Sequence, residues 1–232
     1  MNSTPNIPPH DSAAGQIGSF TPAFPILSLY DPIVRLMSRE RVWRTALLQH
    51  LQARPNETIV DVGCGTGTFL RDIGRKVSSA NLIGVDPDQR ILRRAHDKLS
   101  AAEIESELLC GKLPDLIEVL KRREIHKVTS SLVLHQVSLA EKTALLAAMF
   151  AILAPSGAIA IADYGLQRTV LARGLFRLVQ LVDGFEDTQP NADGIIPDLM
   201  RDVGFVSISE VNVITTATGS ISIYHGVKQD NS

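Results

Sequence analysis

The stretch that decides the fold is IVDVGCGTG, residues 59–67. An apolar run with strand character, TIVDV at 58–62, leads directly into Gly63, Gly65 and Gly67. Glycines in that place tolerate positive φ and carry no Cβ, so a ligand can lie against the backbone. In a doubly wound sheet, ligands bind beyond the C-terminal ends of the strands, and the loop after the first strand is the usual contact. A dinucleotide loop reads G-x-G-x-x-G. Here Thr68 holds the position of the third glycine, which arrives one residue early, so a pyrophosphate is disfavoured. Asp61, at the mouth of the loop, would repel a phosphate and attract an ammonium group through a charge-assisted hydrogen bond. Asp86 ends the next strand, where carboxylates accept hydrogen bonds from ribose hydroxyls.

Outward from this loop, apolar strands alternate with helical patterns. Strands are predicted at 81–86, 106–110, 127–134 and 158–164. Helices are predicted at 68–77, at 87–100 with Pro87 and Asp88 in its first turn, around 114–123, and at 139–153. The segment APSG (154–157) reads as a turn. Such alternation predicts an α/β fold: a doubly wound, mostly parallel sheet with helices on both faces. Ahead of it, a helix at 32–53 aligns Leu36, Trp43, Leu47 and Leu51 on one face, with arginines elsewhere. After it come an unusually apolar helical stretch at 166–185 and a short helix at 195–203. Alternating strands at 205–214 and 220–227 read as a hairpin at the sheet's edge. Residues 1–25 are rich in Pro, Ser, Asn and Gly and are expected to lack fixed structure, leaving 26–232 as one domain.

The bulk numbers bound the function. The 232 residues, 44% hydrophobic, suffice for one well-buried core. The net charge of −2 lacks the basic excess of a nucleic-acid partner. Cys64 and Cys110 are too few for a disulfide framework or a zinc site, and no metal is expected. The N-terminus has no basic flank or apolar core of a signal peptide, and no apolar run reaches the roughly 18 residues of a membrane span. The expectation is a cytoplasmic protein without integral membrane association.

A ligand with a ribose and a cationic amino-acid end would satisfy both Asp61 and Asp86, and S-adenosylmethionine (SAM) has both. IVDVGCGTG followed by LIGVDPD resembles the cofactor site of class I SAM-dependent methyltransferases. KVTSSLVLHQV (127–137) looks like that family's fourth-strand segment, and MFAILAPSGAIAIADYG (149–165) is similar to its helix, turn and fifth strand. The details look closest to the small-molecule branch that includes the ubiquinone and menaquinone C-methyltransferases. The resemblance implies seven strands with an antiparallel last one, the Rossmann-like methyltransferase fold. It implies that Gly63, Gly65 and Gly67 wrap the methionine moiety, that Asp86 holds the ribose, that Gly111, Lys112 and Leu113 border the adenine, and that Cys64 and Pro87 also belong to the cofactor site. Ser130 and Ser131 would contribute backbone groups beside the methionine end. Tyr30, in LYDP, stands near where relatives close a tyrosine over the cofactor; packing is its alternative role. Many relatives carry an acid at the place of Lys112, and a lysine cannot accept from the adenine amine.

Methyl transfer needs orientation of the nucleophile and exclusion of water, and an acidic phenol, enol or thiol also needs a base. His135 is the candidate base, or else a pocket-shaping hydrogen bonder. Asp163 and Tyr164, at the end of the fifth strand, face the ligand edge, with turn capping or lid ordering as their other reading. Arg35 and Arg39 are candidates for an anionic substrate or a solvated helix face. In the insertion at about 166–203, Leu171, Leu175, Leu178, Val179 and Val182 are expected to pack one side; the resemblance implies a helical substrate lid there, and its apolar character suggests a small hydrophobic or aromatic acceptor. The same apolar character also fits a homodimer interface or contact with a membrane surface. Two other functions compete: an NAD(P)-dependent oxidoreductase, whose Tyr-x-x-x-Lys pair would be Tyr224 and Lys228, and a non-catalytic SAM-binding protein.

Overall fold

The computed structural model describes residues 39–230. Tyr30, Arg35, Leu36 and the N-terminal segment lie outside the described residues. The first described element is helix α1 (Glu40–Leu51), which buries Trp43, Ala46, Leu47 and Leu51. The expected alternation follows: β1 (Thr58–Val62), α2 (Thr68–Lys76), β2 (Asn81–Asp86), α3 (Gln89–Ser100) and β3 (Glu107–Cys110). A 3-10 turn (Leu113–Leu116) and a one-turn α4 (Ile117–Leu120) stand where a longer helix was predicted. Then come β4 (Ile125–Ser131), α5 (Leu139–Ile152) and β5 (Leu153–Tyr164). The chain closes with α6 (Val170–Asp183), α7 (Phe185–Ala192), α8 (Ile196–Asp202), β6 (Phe205–Thr216) and β7 (Gly219–Lys228).

The seven strands lie in the order β3-β2-β1-β4-β5-β7-β6. Strands β1 to β5 pair in parallel, and β7 runs antiparallel to both β5 and β6. The order reverses beside β1, so the crevice between the ends of β1 and β4 is the topological switch point where such sheets take ligands. Successive residues of β1 serve opposite cores. Ile59 joins the layer of α1, α2 and α3 with Leu47, Leu70 and Leu99, while Val60 joins the layer of α5 and α8 with Met149 and Met200.

Local chemistry sets the helix starts. Asp88 is the N-cap of α3 rather than part of its first turn: its Oδ1 accepts from Arg90 N at 2.7 Å and from Ile91 N. Ser138 and Glu141 form a reciprocal capping box on α5, an S-x-x-E pattern that satisfies two orphan donors.

Two segments depart from the sequence reading. β4 stops at Ser131, because Leu132 turns left-handed (φ 55) and Leu134–Gln136 forms a 3-10 turn. His135 therefore sits beyond the strand and not at its end. The APSG segment is a bulge within β5: the β4–β5 register passes from Ile125↔Leu153 to Lys127↔Ala158, with Ser156 at φ 61. The helical insertion also differs in extent. α8 buries Ile196, Leu199 and Met200 in the sheet's lower core, so only α6 and α7 lie over the β4 end.

Candidate active site

The glycine loop is built as its sequence requires. Gly63, Gly65 and Gly67 all have positive φ, at 70°, 53° and 69°. At Gly63 a Cβ would collide with Val133 Cγ2, whereas at Gly65 no atom of the described residues lies within 4 Å of one. The backbone at Gly65 thus fronts open space. Asp86 holds this loop in place. Its Oδ2 accepts from Gly65 N at 3.0 Å and its Oδ1 from Asp88 N at 2.9 Å. Lys98 reaches in from α3 and donates to the hydroxyls of Thr66 and Thr68.

Asp61 is the least satisfied group in the crevice. It is 1% exposed, and its Oδ1 has no hydrogen-bond partner among the described residues. In the register of β1 with β4 it stands opposite Thr129, whose buried Oγ1 is also unpartnered. Burial, and secondarily the neighbouring Asp86 charge, push its carboxyl up to about 8. A buried carboxylate oxygen without a donor is costly, and an ammonium group is the donor that would satisfy it. Cys64 is buried, and the same surroundings push its thiol far up, so it is an inert packing group. Ser130 donates its hydroxyl to Val62 O at 2.8 Å, fastening β4 to β1 just below the loop, with half-buried Ser131 next in line.

Beside the loop opens an apolar cavity of about 220 Å³. Gly63, Pro87, Gly111, Lys112 and Leu113 line it, so five of the residues expected around the cofactor converge there. Glu141, from the first turn of α5, faces it too, with Oε1 3.3 Å from Lys112 Nζ. Hydrogen bonds from Ser138, together with Lys112, hold the Glu141 carboxyl below its usual range. An ionised acceptor therefore stands next to the lysine that replaces the expected acid.

On the other side of the switch point lies a charged cluster under the insertion. Asp163, at the end of β5, accepts from Val133 N and Leu134 N through Oδ2. Its Oδ1 takes Tyr164 N and Asn191 Nδ2, and meets His135 Nδ1 at 2.7 Å. The opposite ring nitrogen of His135, Nε2, lies 3.5 Å from Asp183 Oδ2 at the end of α6. Burial alone would lower the His135 pKa, but the two carboxylates outweigh it and raise it to about 9. Tyr164 stands edge-on to the His135 ring at 4.9 Å, and its hydroxyl is bonded to Thr218 Oγ1 at 2.8 Å. Lys142, wholly buried on α5, donates to the carbonyls of Val137 and Asp187 and so ties the start of α7 to the β4 loop.

The sequence placed Asp163 at the ligand edge or in a turn cap and offered Asp183 as an amine-recognising or exposed loop acid, whereas it singled out neither Lys142 nor Asn191 nor Glu141. A single lysine amid LAEKTALLAAMF is a signal that could have flagged Lys142, since a cation on an apolar helix needs buried partners. The inward face of α6 is also corrected. Ala172, Phe176, Val179 and Gln180 are buried, while Leu171, Leu178 and Val182 are exposed. The Phe176 ring packs on Tyr164 at 4.9 Å and sets this rotation. The oxidoreductase pair dissolves: Tyr224 is buried in β7, and Lys228 donates to Phe150 O and Leu153 O.

Comparison with known proteins agrees with this geometry. Residues 59–157 match a methyltransferase domain family. The ubiquinone/menaquinone biosynthesis C-methyltransferase UbiE of Syntrophotalea carbinolica is 28% identical over 174 residues, covering 73% of this chain and 68% of that protein. An O-methyltransferase family protein from Burkholderia thailandensis superposes with a TM-score of 0.68 at 18% identity, over 88% of this chain and 60% of the other. The magnesium protoporphyrin IX methyltransferase ChlM of Synechocystis, solved with bound SAH, superposes with a TM-score of 0.65 at 18% identity, over 84% and 87%. Several other curated relatives are matched over less than half of their own length.

Proposed function

We propose, from the premise that this chain carries a class I SAM-dependent methyltransferase domain, that it moves a methyl group from SAM to a small hydrophobic or aromatic acceptor by in-line displacement. The observation that carries this reading is the pair of acids at the tips of β1 and β2: one clamps the glycine loop, and the other keeps a buried oxygen without a donor. SAM, when bound, supplies a methyl group on a positively charged sulfur that a nucleophile can displace. Asp61 would receive the ammonium end of the cofactor, Asp86 would accept from the ribose with its remaining lone pairs, and the 220 Å³ cavity would take the adenine. Glu141, ionised at its rim, would accept from the adenine amine in place of the acid that Lys112 replaces.

His135 and Asp163 supply the protein's side of the chemistry. Asp163 fixes the imidazole by its Nδ1 and holds the β4 loop by two amides. With Asp183 against Nε2, His135 keeps its proton at neutral pH and orients. Only in the fraction of molecules that has released this proton to water can Nε2 take one from an acceptor hydroxyl, a fraction that grows as pH approaches the raised pKa. Tyr164, packed on the ring, is a positioning residue for His135. α6 and α7 would exclude water from the site during transfer.

The test is calorimetric titration of the full chain with SAM, SAH and NAD, followed by turnover assays with phenolic and quinol acceptors. Binding of SAM and SAH without NAD supports the reading. NAD binding sinks it in favour of an oxidoreductase, and SAH binding without turnover on any acceptor leaves a non-catalytic SAM-binding protein.

A further inference from the structure

Helix α6 is amphipathic in an unusual direction: its inner stripe is buried, and its outward stripe is also apolar. Val170, Leu171, Leu178, Leu181 and Val182 project outward, and Phe185 continues the row at the start of α7. Val170 is 90% exposed, Leu181 83%, Leu171 70% and Phe185 57%. At 100° per residue the five α6 side chains fall within about 120° of the helix circumference. Contiguous exposure of this kind marks an interaction surface rather than scattered surface leucines.

The flanks of the stripe identify its partner. Arg173 and Arg177, one turn apart and both exposed, border one edge. Arg173 donates to Gln167 O, which leaves much of its guanidinium outward. Of the acids nearby, exposed Asp193 lines one pocket with both arginines and Phe185, with both of its oxygens accepting from Gln189 Nε2. Asp183 turns inward to His135, Asp187 is half-buried, and Glu186 stands at the far end beyond Phe185. A helix with an apolar face bordered by arginines suits the interface of an anionic bilayer, where the stems of the arginines reach up to headgroups. A second copy of this chain fits less well. The midpoint of the Val170–Phe185 row falls between Arg177 and Leu178, so two-fold pairing of the row brings Arg177 close to its own copy. No described helix is long and apolar enough to cross a membrane, so the contact would lie in the plane of the surface.

We infer that the outward face of α6, from Val170 to Phe185, docks on an anionic phospholipid surface. The inference stands apart from methyl transfer, although a lipophilic acceptor would then reach the site without leaving the lipid. The test is sedimentation of the full chain with vesicles of phosphatidylcholine alone and of phosphatidylcholine with phosphatidylglycerol. The chain should partition onto the phosphatidylglycerol vesicles, and added salt should weaken this. Leu178→Asn with Leu181→Asn should lower the partition coefficient by about tenfold or more. Arg173→Gln with Arg177→Gln should abolish the preference for anionic lipid. All variants should keep the wild-type far-ultraviolet circular dichroism, and the leucine variant also the wild-type melting curve, since these side chains are exposed and only Arg173 gives up a hydrogen bond, to Gln167 O. The inference is overturned if the wild type ignores both vesicle types, if it binds both equally, or if the leucine variant binds unchanged. It is likewise overturned in favour of a homodimer if sedimentation velocity shows a dimer that the leucine variant dissolves and lipid does not bind.

Discussion

Asp61 and Asp86 are both acids at the end of a strand, yet they face different physics. Asp86 has both oxygens engaged by backbone amides, whereas Asp61 keeps one oxygen unpartnered in the interior. With its carboxyl at about 8, Asp61 holds a proton at neutral pH until a cation arrives. Binding of SAH should therefore release protons at pH 7. Calorimetry in buffers of different ionisation enthalpy will show this, and Asp61→Asn should remove the release and weaken affinity together. Equal proton release in that variant would place the titration elsewhere. Asp86→Ala loses the loop clamp and the ribose acceptor, and SAH affinity should fall by about 1–3 kcal/mol, the range for a charged hydrogen bond. Both acids were legible in the sequence because each lies next to its motif. The orphaned state of Asp61 was not, because it depends on Thr129 from a strand 68 residues away, which offers it no donor.

At the scale of elements, the β4 loop and the α6–α7 elbow act as one unit. Asp163 draws in Val133 and Leu134, His135 bridges to Asp183, and Lys142 holds Asp187 O. Asp183→Asn removes one of the carboxylates that raise the His135 pKa. The variant's histidine should lose its proton at lower pH, and the acidic limb of kcat/KM against pH should move down. An unmoved limb would argue that His135 is not the base. Lys142→Met keeps much of the volume but frees two carbonyls, each a buried acceptor worth about 1–3 kcal/mol when unsatisfied. Hydrogen exchange should then rise at the start of α7 while β1 stays protected. Gly63→Ala meets Val133 within the loop at a positive φ, where a non-glycine residue alone costs about 1–2 kcal/mol. SAH binding should be lost before the fold is. The apolar string VTSSLVL gave no sign that Leu132 would turn left-handed, since the cause is the Asp163 carboxylate on another strand. The rotation of α6 was equally hidden, because leucines and valines lie on both of its sides and only Phe176 against Tyr164 selects one.

For the whole molecule, two raised pKa values act in the same direction. A group whose folded pKa lies above its unfolded value stabilises the fold fully below the unfolded pKa and loses that contribution as pH rises through the folded one. For His135 the window runs from 6.5 to about 9, and for Asp61 from 3.8 to about 8. The melting temperature of the ligand-free protein should fall as pH rises from 6 to 9, and saturating SAH should flatten the fall. A ligand-free melting temperature that rises over this range would contradict both assignments. The alternation of strands and helices, the central switch point and the closing hairpin could be read from sequence, since hydrophobic period and turn residues are local. The position of β7, inserted between β5 and β6, has a consequence for biosynthesis. Ile221, Ile223 and Tyr224 are buried on this inserted strand, yet they are synthesised after both of its neighbours. Until translation passes Lys228, β5 and β6 have no neighbour between them, and the nascent chain must wait with two open edges for the strand that joins them.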